Sequence, residues 1–75
     1  MTERKIKLSA TEEVEEFVNA AERCDFDIDI FYNRMIIDAK SILGVLSMDL
    51  TRVLTVKYFG DNLEFEHAIR KFAVA

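Results

Sequence analysis

Cys24 and His67 are the only residues of their kinds in this 75-residue chain, and each stands without the neighbours that would put it to chemical use. A zinc site draws about four ligands from cysteine, histidine and carboxylate side chains, and one Cys with one His cannot close such a set. A lone thiol also forms no internal disulfide, so Cys24 reads as a buried or half-buried thiol. His67 lies between Glu66 and Ala68 in an apolar-striped segment, where a surface or half-buried structural histidine is the ordinary outcome. Asp27 and Asp29 alternate on one prospective strand face; two carboxylates without further oxygen ligands make a solvated face rather than a cation site. No glycine-rich phosphate loop and no nucleophile paired with a base is present. The chain therefore reads as a non-enzyme with no catalytic residue, no metal and no cofactor. What remains is a set of hydroxyls at helix starts: Ser9 and Thr11 ahead of a glutamate-rich stretch, and Ser41 ahead of an apolar one. A helix N-terminus offers free amides and the positive end of a dipole, and a serine at Ser41 can cap the helix there.

The elements that must position these groups follow from hydropathy. Lys5-Ile6-Lys7-Leu8 alternates polar and apolar, which predicts a strand with Ile6 and Leu8 facing inward and Ser9 ending it. From Thr11 to Cys24, Val14, Phe17, Val18 and Ala21 form one helical stripe, with Ser9 and Glu12 as a capping box or Thr11 as an alternative start. Phe26 to Ile30 alternates strictly, with Phe26, Ile28 and Ile30 expected beneath the helices and Asp27 and Asp29 in water. Asn33 and Arg34 make a tight turn into a second alternating run, Met35 to Ala39. A short helix is expected from Ser41 through Met48, a strand from Val53 to Phe59 ended by Gly60, and a last helix striped by Phe65, Ala68, Ile69 and Phe72 and capped by Asp61 with Glu64. The order is β-α-β-β-α-β-α.

Composition narrows the class. A chain of this length makes one small domain and buries only roughly 60% of the surface its unfolded form exposes, so its stability margin is thin. Fourteen acidic residues against ten basic ones give a net charge of −4, which removes the general attraction to nucleic acid. Neither a long apolar run nor a signal-peptide pattern occurs, and the expectation is a soluble, cytoplasmic protein with no membrane partner.

Tyr32-Asn33, followed at matching spacing by Lys40-Ser41-Ile42-Leu43-Gly44-Val45-Leu46-Ser47, resembles the segment around the regulatory serine of HPr, the phosphocarrier family of the bacterial sugar phosphotransferase system. It is most similar to HPr of Gram-positive bacteria, and the likeness covers nearly the whole chain in element order. The resemblance implies an α+β fold, an HPr-like open-faced β-sandwich, over residues 1–75 as one domain. Its sheet would have four antiparallel strands, with the two longer helices on one face and the short helix at the edge.

In that family a histidine at the first helix's N-terminus accepts the phosphoryl group, helped by free amides and a nearby arginine. Here the corresponding stretch reads Leu8-Ser9-Ala10-Thr11-Glu12-Glu13, with no histidine, arginine or proline. The degenerate acceptor region Ala10, Thr11, Glu12 and Glu13 sets two carboxylates where a phosphate would sit, and like charges repel. The resemblance further implies that Ser41 is a regulatory phosphorylation site and that Ile42, Leu43 and Leu46 form an exposed docking patch. Read without it, Ser41 is a helix cap, and Ile42, Leu43, Val45, Leu46 and Met48 supply more apolar surface than one buried stripe can use.

The expected function is an HPr-like regulatory or protein-interaction module that has lost histidine phosphotransfer. Its expected partner is a protein of the phosphotransferase system or of transcriptional regulation. Two alternatives stay open: a phosphoryl carrier using Ser9, Thr11 or His67, and a small-molecule-sensing domain of another βαββαβ family.

Overall fold

A computed structural model describes residues 1–74. Its elements are β1 (Thr2–Ile6), α1 (Thr11–Glu22), β2 (Ile28–Tyr32), β3 (Met35–Asp38), α2 (Ile42–Leu46), β4 (Leu54–Tyr58) and α3 (Leu63–Phe72). The strands form one antiparallel sheet in the order β1-β4-β2-β3. The order β-α-β-β-α-β-α and the α+β, open-faced architecture are as expected from the sequence.

Strand periodicity determines which face is covered. Ile6, Ile28, Ile30, Leu54, Val56 and Tyr58 are buried together with Val14, Phe17, Val18 and Ala21 of α1 and Phe65, Ile69 and Phe72 of α3. The alternate residues Glu3, Lys5, Asp29, Phe31, Thr55 and Lys57 line the other, open face in register. Lys57 lies there 4.7 Å from the Phe31 ring centre and 3.5 Å from the Glu3 carboxylate. Asp29 is half-buried against this row rather than free in water, whereas Asp27 is exposed. Phe26 precedes β2 and is also half-buried, stacked on Tyr58 at 5.9 Å instead of lying under the helices.

Tyr58 and Arg4 both reach Glu66 on α3. The Tyr58 hydroxyl donates to the Glu66 carboxylate, and Arg4 Nη2 lies 3.4 Å from the other oxygen. Burial, then the bond to Glu66, holds the Tyr58 phenol well above its ordinary range.

Boundaries shift where tertiary pairing competes with local pattern. The ladder of β1 with β4 starts at Thr2 and ends at Ile6, so Lys7 and Leu8 lie past it. The Lys7 amide instead donates to the Phe72 carbonyl at 2.9 Å, and Leu8 stays fully buried. At the hairpin, Tyr32 faces Met35 and Asn33 alone takes a left-handed φ of 52°. A type I′ turn needs that conformation at both central residues, and Arg34 does not adopt it.

Helix α1 begins at Thr11, one of the two expected starts, whereas the cap of α3 lies one residue later than expected. For α1 the N-cap position is Ala10, which makes no side-chain cap; Glu13 reaches back to the Ser9 amide at 2.7 Å and the Ser9 hydroxyl at 2.9 Å. For α3 the cap is Asn62, whose Oδ1 accepts from the Phe65 amide at 2.9 Å, and not Asp61. Asp61 and Asn62 are adjacent residues of similar capping ability, so local sequence does not choose between them. Asn62→Ala is expected to cost about 1 kcal/mol and Asp61→Ala only a few tenths; thermal denaturation of the two variants would reverse that order if Asp61 were the cap.

Candidate functional site

The best-defined surface feature forms around α2, and local hydrogen bonding builds it. As β3 ends, the Asp38 side chain accepts from the Lys40 amide and its carbonyl from the Ser41 amide, both at 2.9 Å, which turns the chain. Ser41 is the N-cap of α2, in extended conformation, with its Oγ accepting from the Gly44 amide at 3.2 Å. At the far end the Ser47 hydroxyl donates to the Gly44 carbonyl. Lys40 Nζ donates to the Cys24 carbonyl at 2.9 Å, joining the exit of α1 to the start of α2.

Gly44 lets α2 approach the sheet. A Cβ at this position would lie 2.7 Å from Ile37 Cγ2 on β3, closer than carbon atoms tolerate. Val45 and Met48 then enter the core, while Leu43 is 79% exposed and Leu46 39%. Residues three apart on a helix are neighbours, so these two leucines share one outward face. Ile42 is half-buried and packs against the core margin. The Ser41 side is exposed. The arrangement therefore sets a solvent-facing hydroxyl beside two exposed leucines on a short, well-anchored helix.

The stretch from Ala10 to Glu13 lies at the start of α1, which packs against α2. Lys7 Nζ donates to the Thr51 carbonyl at 3.2 Å and so ties the segment before α1 to the segment after α2. Ala10, Thr11 and Glu12 are exposed and Glu13 is half-buried. The amide and then the hydroxyl of Ser9 hold the Glu13 carboxyl below its usual range, which keeps it charged at the helix's positive end. An added phosphate at this point would meet a fixed negative charge.

His67 is exposed on α3, in a shallow groove between α1 and α3 with Arg23, Leu63 and Glu64. Lys71 and Glu16 pair across the groove at 2.5 Å. Cys24 is buried; its thiol donates to the Ala20 carbonyl, and burial pushes its pKa up, away from the reactive thiolate. Among the described residues no three metal-ligating side chains converge, and no helix is long and apolar enough to cross a membrane.

Four residues that shape this region carry little signal in sequence. Gly44 reads only as a mild helix penalty until Ile37 is seen beneath it. Lys40 gives no sign of its carbonyl partner sixteen residues earlier. The Ser9 and Glu13 pair has a spacing one longer than the usual capping box.

No family model matches this sequence, and no curated protein matches it either. Among solved structures the chain is similar to the phosphocarrier protein HPr from Bacillus anthracis strain Ames, with a TM-score of 0.70 and 22% identity over 95% of each chain. Likeness in shape at that identity is a statement about architecture, and it establishes that this chain has the HPr-like fold.

Proposed function

We propose that this chain is an HPr-like regulatory or protein-interaction module of the phosphotransferase-system type, a single domain that does not carry phosphoryl groups on histidine. Its partner is a protein that docks on Ile42, Leu43 and Leu46, and phosphorylation of Ser41 controls that docking. The observation that carries this reading is the outward face of α2, where Leu43 and Leu46 are exposed beside the capping Ser41. An apolar pair held on an anchored helix costs little ordering entropy when a partner covers it. A phosphate on Ser41 would place about two negative charges beside that pair, near amides that already favour an anion. The charged start of α1 supports the loss of histidine chemistry, since Ala10 falls near the histidine's place and Glu13 is held ionised nearby.

Two measurements test the reading. Incubation with phosphoenolpyruvate and the phosphotransferase system's first enzyme should leave the intact mass unchanged; a phosphate on His67, Ser9 or Thr11 would instead make the chain a carrier with a non-standard acceptor. Leu43→Asp should keep much of the parent's stability and abolish capture of phosphotransferase or transcription-regulator proteins, while Ser41→Asp should keep the fold and change capture. If Leu43→Asp collapses the fold, Leu43 belongs to the core; if both variants capture as the parent does, α2 is not the docking surface.

A further inference from the structure

The two edges of the sheet are treated differently by this chain. Along β1, the free side is closed at one end by the C-terminal segment: the Val74 amide donates to the Lys5 carbonyl at 3.0 Å, and Ile6 bridges to Ala73. The rest of β1 carries Glu3, Arg4 and Lys5 in succession, charges of the kind that discourage strand addition. The opposite edge, β3, has neither protection. It reads Met35-Ile36-Ile37, with Met35 41% exposed and Ile36 61% exposed.

Hydrogen-bond parity says which groups this edge offers. The Ala39 amide donates to Ile28, so Ile28 and Ala39 form a hydrogen-bonded pair, and such pairs alternate along an antiparallel ladder. Ile37 and Met35 therefore spend their backbone groups on β2. The amide and carbonyl of Ile36 and the amide of Asp38 point away from the sheet, and the next outward position in the same phase is Arg34.

We propose that β3 pairs antiparallel with β3 of a second copy of this chain, with Ile36 on the two-fold axis, to give a continuous eight-stranded sheet. The charge pattern selects the partner and the register. Arg34 and Asp38 stand at equal distances on either side of Ile36, and among the described residues neither has an ion-pair partner. With Ile36 facing Ile36, each Arg34 lies opposite the other copy's Asp38, and both pairs form at once. The other in-phase registers lose this: those centred on Asp38 or on Arg34 set like charges against each other, and the two between them face Ile36 with Asp38 or Arg34 and so form neither opposite-charge pair. In the chosen register Phe31 and Ile36 of both copies form one apolar row across the open face.

A pairing this short buries less than a stable interface needs, so association is weak and set by concentration. The proposal is independent of the function assigned to α2.

Sedimentation velocity over a concentration series should show a monomer that converts to a dimer. Ile36→Lys should abolish the dimer with the melting temperature unchanged, since Ile36 already faces water. Arg34→Glu and Asp38→Arg should each weaken association at least about tenfold, and an equimolar mixture of the two should recover it, because each mixed dimer restores both opposite-charge pairs. Asp38→Arg also removes the acceptor of the Lys40 amide; should it fail to fold, Arg34→Glu and Ile36→Lys still decide the matter, as neither touches that turn. A parent that stays monomeric at every concentration overturns the proposal. So does a parent-like dimer from Ile36→Lys, or a mixture of two folded charge variants that associates no better than either alone.

Discussion

Ile28→Ala is expected to destabilise the chain by about 2–5 kcal/mol, whereas Asp27→Ala, one residue earlier, should change stability by less than about 0.5 kcal/mol. Ile28 is fully buried in β2 opposite Tyr58, so truncation leaves a cavity that a tightly packed interior closes only in part. Asp27 is exposed and lies before the strand. A domain this small has a total stability near the lower end of the usual 5 kcal/mol or so upward, and the loss at Ile28 is therefore enough to unfold much of the population. Urea denaturation of both variants measures the difference. Equal midpoints would mean that the face assignment of β2 is wrong.

Gly60→Ala should be nearly as damaging, at about 2–5 kcal/mol, although it adds one methyl group at an exposed residue. Two costs combine. Gly60 has φ of 151°, a conformation that residues with a Cβ rarely adopt, and a Cβ there would fall 2.3 Å from the Phe26 ring. The ring cannot step aside freely: it stacks on Tyr58, whose own ring meets Phe65 edge-on at 5.1 Å. A second substitution separates the costs. In Phe26→Ala/Gly60→Ala the steric part disappears and the backbone strain remains, so the two changes should combine to less than their sum. If Gly60→Ala melts with the parent, neither the strain nor the contact is present in solution.

The proposed dimer and the proposed docking surface lie on neighbouring elements, β3 and α2, yet they depend on different chemistry. Ile36→Lys tests backbone pairing at the sheet edge, while Leu43→Asp tests an apolar helix face. Loss of self-association with unchanged partner capture would place the two events on separate surfaces.

Much of the architecture was legible because it rests on short-range rules. Alternation in Ile28-Asp29-Ile30 and in Leu54 to Tyr58, and helical spacing in Val14, Phe17, Val18 and Ala21, each commit one face to burial. Ser41 was readable as a cap because its acceptor and the Gly44 amide are three residues apart. Other features were not local. Asp61 and Asn62 are similarly good caps in sequence, and only the folded chain shows Asn62 accepting from the amide of Phe65, whose ring packs on Phe17.

The segment Ile42 to Leu46 shows where sequence stops. Five residues span little more than one turn, and four of them are apolar, so no periodicity distinguishes the inward side from the outward one. The close approach of Gly44 to Ile37 rotates the helix so that Val45 is buried and Leu43 is not. In the same way, the sequence of β3 shows an apolar strand but not that it is an edge. By itself the sequence determined the elements, their order and the buried face of each regular one, since these follow from side-chain period and hydrogen bonds between near neighbours. Only the tertiary structure decided which leucines of α2 meet water, which strand edge stays open, and that Tyr58, Arg4 and Glu66 converge, because each depends on contacts between residues far apart in the chain.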